Sequence, residues 1–201
     1  MNKGKIYFML FFIGFGTMAQ DTLETTYPGT TQRWIKRFES GHKIDETIYY
    51  DNDQIWMKVQ YVNGQEKWNW YHENGAPYFE ATIKNDSLQG WYQIGYKNGQ
   101  IAEKIMYQNN LENGVAFFYY PNGQLAMRGS YEQGRMLEGW QCFDLDGHPA
   151  NGDWQWAFAA DTSKLRMEGV VLNGAMIGEW TYTSIGNLAT EKEKQFNVTF
   201  R

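Results

Sequence analysis

Cysteine and proline are scarce in this chain of 201 residues, which contains one cysteine and four prolines. The lone Cys142 cannot form an intramolecular disulfide, so packing must hold the fold together. A catalytic thiol would need a base within reach, and the three histidines, His42, His72 and His148, lie far apart in the sequence. We therefore interpret Cys142 as a small core-facing residue on a strand.

Catalytic and ligand-binding motifs are missing as well. The sequence shows no paired-ligand zinc spacing, nucleophile elbow or phosphate-binding loop. Asp144-x-Asp146-Gly147 is similar to the start of a calcium loop, but the later oxygen ligands and the distal Glu do not follow. The sequence thus predicts no catalytic residue, no cofactor and no metal site. A glycosidase pair stays open, because its two carboxylates can come from any part of a chain.

Long hydrophobic runs are limited to the amino terminus. Residues 6–16 are apolar, but a helix that spans a bilayer takes about 20 such residues. Lys3 and Lys5 precede the run, and Thr17 and Ala19 place small residues where signal peptidase prefers them. We predict a signal peptide over residues 1–19, cleaved near Ala19, and a mature protein in the periplasm or outside the cell. The alternatives are an uncleaved membrane anchor and a buried apolar strand.

Basic residues are in the minority. The chain has 18 Lys and Arg against 23 Asp and Glu, and loss of residues 1–19 would remove two lysines and leave a net charge of −7. Nucleic acids and anionic lipids both select a basic face. The sequence therefore predicts neither nucleic-acid binding nor strong membrane binding.

Glycine and aromatic residues are abundant, and they recur with a fixed period. Asn-Gly pairs begin at Asn74, Asn98 and Asn122, and Asp146-Gly147 follows after a further 24 residues. A two-residue hairpin of type I′ needs positive φ at both central residues, which Asn, Asp and Gly tolerate. We therefore predict a chain reversal at each such pair, including those at Asn63, Asn113, Asn151 and Asn173.

The segments between these turns align as units of about 24 residues, over 71–94, 95–118 and 119–142. Each unit has a strand, a second polar turn and a glycine followed by aromatic residues. Leu125, Met127 and Tyr131 alternate with polar residues, as on a half-buried strand, and in the preceding unit Glu103 is the exception on the apolar face. The pattern predicts an all-β domain of tandem β-hairpins over residues 46–201, after an N-terminal cap over residues 20–45.

The best match, Phe118-Tyr119-Tyr120-Pro121-Asn122-Gly123-Gln124-Leu125, resembles a MORN-variant repeat, and the resemblance extends over about residues 46–190. It implies an elongated, curled single-layer antiparallel sheet with rings stacked along its concave side. Bacterial relatives are often labelled antitoxins of toxin–antitoxin systems, and eukaryotic relatives are linked to scaffolding and membrane association. The predicted signal peptide departs from a cytoplasmic antitoxin, and the acidic charge departs from phospholipid binding.

Most of the Trp and Tyr rings are expected in the core, because a sheet of short strands has little else to bury. Some are expected to stay exposed on the concave face as a binding surface, with Tyr96, Tyr120 and Trp140 as candidates. We predict an exported, non-catalytic protein-interaction or scaffold module whose partner is another protein and whose sheet edges allow a homodimer. The alternatives are an antitoxin-like protein that neutralises a partner toxin and a glycan-binding or envelope-associated protein.

Overall fold

Strands account for the regular structure of this protein. The computed structural model describes residues 20–159, 163–186 and 194–200. Within these ranges there is no helix that could cross a membrane. The strands are β1 (Gln20–Thr26), β2 (Arg33–Glu39), β3 (His42–Tyr49), β4 (Ile55–Val62), β5 (Gln65–Tyr71), β6 (Pro77–Lys84), β7 (Ser87–Gly95), β8 (Ile101–Gln108), β9 (Leu111–Tyr119), β10 (Leu125–Glu132), β11 (Arg135–Met136), β12 (Gln141–Cys142), β13 (Gly152–Ala159), β14 (Ser163–Leu172), β15 (Ala175–Gly186) and β16 (Lys194–Phe200). The predicted signal peptide at residues 1–19 lies outside the described residues.

One open antiparallel sheet contains all 16 strands, which confirms the predicted all-β fold of tandem hairpins. From β1 to β10, each strand pairs with the next strand in the chain. The order then continues from β10 through β12, β15 and β14 to β13, and β16 pairs with β15. Residues 20–45 form β1, β2 and the first part of β3 in this same sheet.

The second polar turn of each unit has type I′ geometry, which the sequence assigns to the Asn-Gly pairs instead. Asn85 and Asp86 have φ of 51° and 57°, and Asn109 and Asn110 have φ of 54° and 67°. Positive φ at both central residues matches the right-handed twist of the flanking strands. These tight reversals are therefore encoded locally, by residues that tolerate the left-handed region.

The registered Asn-Gly turns are of another kind, which corrects the expectation of a type I′ turn at every such pair. At the 74–75 turn, φ is positive at Gly75, at 83°, but not at Asn74. The His72 amide donates to the Ala76 carbonyl, and the Gly75 amide donates to the His72 carbonyl. This is a three-residue loop that ends on a left-handed glycine. Asn113-Gly114 departs further, since it lies inside β9 and reverses nothing.

The asparagine of the three-residue loop joins neighbouring repeats through its side chain. Asn98 Oδ1 accepts from the Gln100 amide at 3.1 Å, and its Nδ2 donates to the Pro121 carbonyl at 2.6 Å. Asn74 makes the corresponding pair of bonds to Ala76 and Lys97. The 24-residue recurrence of asparagine therefore reflects a contact between repeats as well as a turn.

A second set of links starts from the residue that opens each of these loops. The hydroxyls of Tyr50, Tyr96 and Tyr120 donate to backbone carbonyls 21 to 23 residues later, at Tyr71, Tyr119 and Phe143. His72 takes the same position, with its Nε2 3.0 Å from the Gly95 carbonyl. We call Tyr50, His72, Tyr96 and Tyr120 the ladder residues. They fix each repeat to the next along the sheet.

A row of cross-strand neighbours defines the inner face of the sheet. Trp70, Phe79, Ile94, Glu103 and Phe118 lie directly opposite one another, strand by strand, from β5 to β9. Residues directly opposite in an antiparallel sheet point to the same side. The inner face is thus rich in rings and aliphatic side chains, with Glu103 as the predicted exception.

The sheet curls so that β13, the final strand in the sheet order, lies over this inner face. In β13, the Trp156 indole donates to the Tyr119 carbonyl at 3.0 Å, and its ring lies 5.0 Å from that of Phe118. Farther along β13, the Phe158 ring packs 5.4 Å from the ladder residue Tyr96. Because β13 is separated from β9 by several strands in the sheet order, these are side-chain contacts across the curled sheet, which itself stays open. The main core lies between the inner face of the middle strands and the strands that curl over it.

Small residues make room for β13. The sixth position after a ladder residue is alanine at Ala102 and Ala126, both fully buried. The same position holds Trp56 and Tyr78 in the two earlier repeats. The alanines leave space for the rings of β13, whereas the earlier repeats fill that space with rings of their own.

The asparagine links give a first testable expectation. Asn98→Asp should lower the free energy of unfolding by about 1 kcal/mol, because a carboxylate cannot donate to the Pro121 carbonyl. Urea unfolding at neutral pH measures the change. The matched control is Asn113→Asp, another Asn-Gly site, whose Nδ2 donates to the Gln108 side chain and whose replacement should cost under about 0.5 kcal/mol. Equal losses for both variants would contradict the link between repeats.

Candidate partner-binding surface

Aromatic rings form a continuous row across the early strands. Tyr27 contacts both Trp34 and Trp56, at 5.4 and 5.6 Å between ring centroids. The row continues from Trp56 to Trp70 at 6.5 Å and from Trp70 to Phe79 at 4.9 Å. We call these five residues the open ring row. Their edge-to-face and tilted geometries are those that aromatic pairs prefer.

The open ring row is half-buried, and the rings beyond it differ in packing against the main core. Trp34, Trp56, Trp70 and Phe79 all keep part of their surface accessible. Beyond Phe79 the row extends to Tyr92 and then Tyr107, which pack against the main core. Within the described part of the chain, the ring contacts of β13 end at Tyr96. The rings of the late repeats therefore pack against β13, whereas the rings of the early repeats have no such strand over them in the described ranges.

One carboxylate orients the rings at the β2–β4 end of this surface. Glu46 accepts hydrogen bonds from the Trp34 indole at 3.2 Å, the Tyr61 hydroxyl at 2.6 Å and the Lys43 ammonium at 3.1 Å. Burial opposes ionisation of this carboxyl, but the hydrogen bonds outweigh it and lower the pKa of Glu46. The carboxylate is thus charged and occupied by its neighbours, as a positioning group for Trp34 and Tyr61.

The three ring candidates from the sequence have different positions. Trp140 is 1 % exposed, so the expectation that it stays accessible is wrong. Its ring packs against those of Phe118 and Tyr131. Tyr96 and Tyr120 are half-buried, and both hydroxyls are used as ladder donors. Burial raises the pKa of Tyr96 to about 12, which keeps its hydroxyl a donor at neutral pH.

A smaller aromatic patch lies on the outer face. Trp91 is 39 % exposed, its ring lies 6.4 Å from that of Phe117, and the Lys104 ammonium sits 4.6 Å above it. Trp91 is opposite Met106 in the register, one position away from the inner-face residue Tyr92. It provides an exposed tryptophan that is separate from the open ring row.

Cys142 and Glu103 are the titratable groups most deeply placed in the core. Cys142 is fully buried, and burial raises the pKa of its thiol to about 12, so it is a poor nucleophile at neutral pH. Glu103 is 6 % exposed, and its Oε2 has no hydrogen-bond partner among the described residues. Burial, together with the nearby Glu112 carboxylate, raises the pKa of Glu103 to about 8.

The calcium-like segment forms a turn. Asp144, Asp146 and His148 are exposed, and one ligand atom from each lies within 4.8 Å of the others. Asp144 Oδ1 accepts from the backbone amides of Asp146 and His148 at 3.0 and 2.9 Å. Those bonds explain the cluster as the fourth registered turn. Among the described residues, these three side chains are the group that could hold a cation. Their geometry alone does not assign a cation site.

Sequence reasoning missed Trp34, Trp56, Trp70 and Phe79 as a surface. A signal for them was present in the position that holds Trp56 and Tyr78 in early repeats and alanine at Ala102, Ala126 and Ala150 in later ones. This change from rings to alanine can be interpreted only once β13 is known to pack over the alanines. No local sequence pattern predicts that packing.

Comparison with known proteins agrees with this architecture. A protein-family model described as the MORN repeat variant matches residues 44–63 and 112–133. The first match covers most of β3 and all of β4, and the second covers most of β9 and all of β10. No curated protein matches the chain.

Proposed function

We propose that this chain, which contains repeats of the MORN variant family, is an exported, non-catalytic module that binds another protein through its open ring row. MORN repeats are commonly modules for interaction with proteins or membranes, and their all-β fold is typically non-catalytic.

The single observation that carries it is the contrast between the two halves of the inner face. The late repeats bury Trp156 and Phe158 of β13 against their rings and carbonyls. The early repeats carry the half-buried Trp34, Trp56 and Trp70. Tryptophan and tyrosine dominate the energetic centres of protein interfaces. The early half of the face therefore has the composition of an interface.

Removal of one ring tests this surface. Trp56→Ala should lower recovery of the partner at least about tenfold in an affinity pull-down from the native envelope, because truncating a central aromatic anchor costs about 2 kcal/mol or more. Alanine occupies the equivalent position in the later repeats, at Ala102 and Ala126, so the backbone accepts it. Quantitative mass spectrometry of the eluates measures the loss.

The matched control is Trp91→Ala, which removes a tryptophan from the outer face. This variant should recover the same protein partner in the same amount as the wild type. The proposed surface is wrong if Trp91→Ala loses the partner and Trp56→Ala retains it. A partner that is lost in both variants, with circular dichroism unchanged, would also contradict it.

Export gives a separate expectation. Protein purified from the native envelope should begin at Gln20, because Thr17 and Ala19 are the small residues that signal peptidase prefers at these positions. Amino-terminal sequencing or intact-mass measurement decides this. Detection of residues 1–19 on that protein would contradict cleavage, and the binding experiment would stand independently.

The second candidate is a glycan-binding protein, which the half-exposed tryptophans of the open ring row favour. The same pull-down separates the two. Retention of the chain on peptidoglycan or polysaccharide, with loss of retention in Trp56→Ala and no stoichiometric protein in the eluate, would support the glycan candidate and contradict the protein partner.

A further inference from the structure

The first strand of the sheet has one unoccupied edge. β1 pairs with β2 along its whole length, from Gln20↔Glu39 to Thr26↔Arg33, without a bulge. In the described ranges no strand lies on its other side. All seven residues of β1 are exposed. Its outward N–H and C=O groups are therefore a regular template for another strand.

Natural edge strands are usually protected, but β1 has no lysine, proline or bulge, and its charged side chains are Asp21 and Glu24. Proteins block such edges with lysines, prolines, bulges or very short strands. β1 is seven residues long, reads QDTLETT and contains no Lys, Arg or Pro. The strand at the other end of the sheet order, β13, is instead held over the inner face by Trp156 and Phe158.

The sequence of β1 is complementary to itself in one register. If two copies pair antiparallel about Leu23, then Leu23 faces Leu23, Asp21 faces Thr25, and Thr22 faces Glu24. No two like charges lie directly opposite, and the largest apolar side chain of the strand, Leu23, which is 39 % exposed, gains its own copy as a neighbour. A shift by one residue sets Asp21 against Glu24 in one direction, which is destabilising, and sets Leu23 against Glu24 in the other, which separates the two leucines.

We propose that β1 binds a second copy of this chain, in an antiparallel β1–β1 pair with its two-fold axis at Leu23. The axis is perpendicular to the sheet, because directly opposite residues of an antiparallel pair point to the same side. Leu23 lies opposite Lys36, and Thr25 lies opposite Trp34, on β2. The pairing therefore brings the two open ring rows onto one side of a continuous sheet.

This arrangement goes beyond the proposed function, since it concerns the assembly of the surface rather than its partner. Four strands, β2 to β5, lie between β1 and β6 in each copy, at about 4.8 Å from one strand to the next. The dimer thus doubles the length of the aromatic surface without covering any of its rings. Isologous pairing of one edge closes the assembly at two copies, because each copy uses its β1 once.

Disulfide trapping tests the register. The full 1–201 chain is expressed in an exporting host, so that residues 1–19 undergo whatever processing they have. In Leu23→Cys, two Cβ atoms face each other at about 4.5–5.5 Å, close to the separation that a disulfide requires. The native Cys142 is fully buried and does not compete. We expect a dimer on non-reducing gels under mild oxidation, and a wild-type mass of twice the chain by light scattering.

Glu24→Cys is the matched control. Its side chain points to the opposite side of the sheet and faces Thr22 of the second copy, so crosslinking should be at least about tenfold slower. Leu23→Lys should weaken the dimer at least about tenfold while circular dichroism stays unchanged, because it sets two like charges opposite each other. A monomeric wild type, equal crosslinking of both cysteine variants, or a mass that keeps growing with concentration would each overturn the β1–β1 dimer; the last would indicate head-to-tail stacking of β1 on β13.

Discussion

Gly129→Ala should lower the free energy of unfolding by about 3 kcal/mol, so that the variant unfolds at urea concentrations where the wild type is still folded. A Cβ at Gly129 would lie under 3.0 Å from three ring atoms of Trp140, which is closer than real Cβ atoms approach. That ring is 1 % exposed and fixed between Phe118 and Tyr131, so it has no space to move into. Overpacking of a closed core costs about 1–3 kcal/mol and sometimes more, and we expect the upper end.

The sign of this effect is informative. Gly129 has an ordinary strand φ, so alanine there would by itself stabilise the chain by about 0.4–1 kcal/mol through the unfolded state. A large loss in urea unfolding therefore reports the ring contact alone. Gly169→Ala should behave alike, because its Cβ would meet Trp180 in the same way. The control is Ser130→Ala, the next residue of β10, with a change within about 0.5 kcal/mol; an unchanged or raised stability of Gly129→Ala would show that Trp140 does not lie over Gly129.

Glu103→Gln should stabilise the protein at alkaline pH. Glu103 faces Ile94 and Phe118 across the strands, and burial raises its pKa from 4.5 to about 8. Below about pH 4.5 the carboxyl is protonated in both the folded and the unfolded chain, so it contributes no difference. As the pH rises towards 8, the unfolded chain ionises while the folded one stays neutral, and the wild type loses stability progressively.

Glutamine mimics the neutral carboxyl and removes this loss. We expect Glu103→Gln to exceed the wild type by roughly 3–5 kcal/mol at pH 8, with the difference vanishing near pH 4.5. Urea unfolding at a series of pH values measures it. The control is Glu80→Gln on an exposed site of β6, where the change at pH 8 should stay within about 0.5 kcal/mol. Parallel profiles for Glu103→Gln and the wild type would mean that Glu103 is ionised and solvated in the folded protein.

The repeat and the class of fold could be predicted because they depend on local backbone chemistry. Asn85-Asp86 and Asn109-Asn110 tolerate positive φ, and the structure uses that property at both. The registered asparagines were located correctly but explained wrongly. At Asn98 the decisive contact is the Pro121 carbonyl, 23 residues away, and a contact between repeats leaves no trace in the sequence of one repeat.

The candidate surface could be predicted only in kind. The sequence indicates more rings than a thin sheet can hide, but whether a given ring is covered depends on distant parts of the chain. Trp140 is covered because Gly129 provides a space beneath it. Trp56 stays half-exposed because β13 ends its ring contacts at Tyr96. Both outcomes follow from the curl of the sheet, which no hydrophobic period encodes.

The central claim is that the late half of the inner face is covered from within and the early half binds a partner. Hydroxyl-radical footprinting of the nine tryptophans, with the chain alone and with its captured partner, tests this most directly. In the chain alone, Trp56, Trp70 and Trp91 should be labelled, and the buried tryptophans should be protected, namely Trp140, Trp154, Trp156 and Trp180. With the partner, Trp56 and Trp70 should become protected while Trp91 stays labelled. Labelling of Trp156 in the free chain, or protection of Trp91 with Trp56 and Trp70 unchanged, would contradict it.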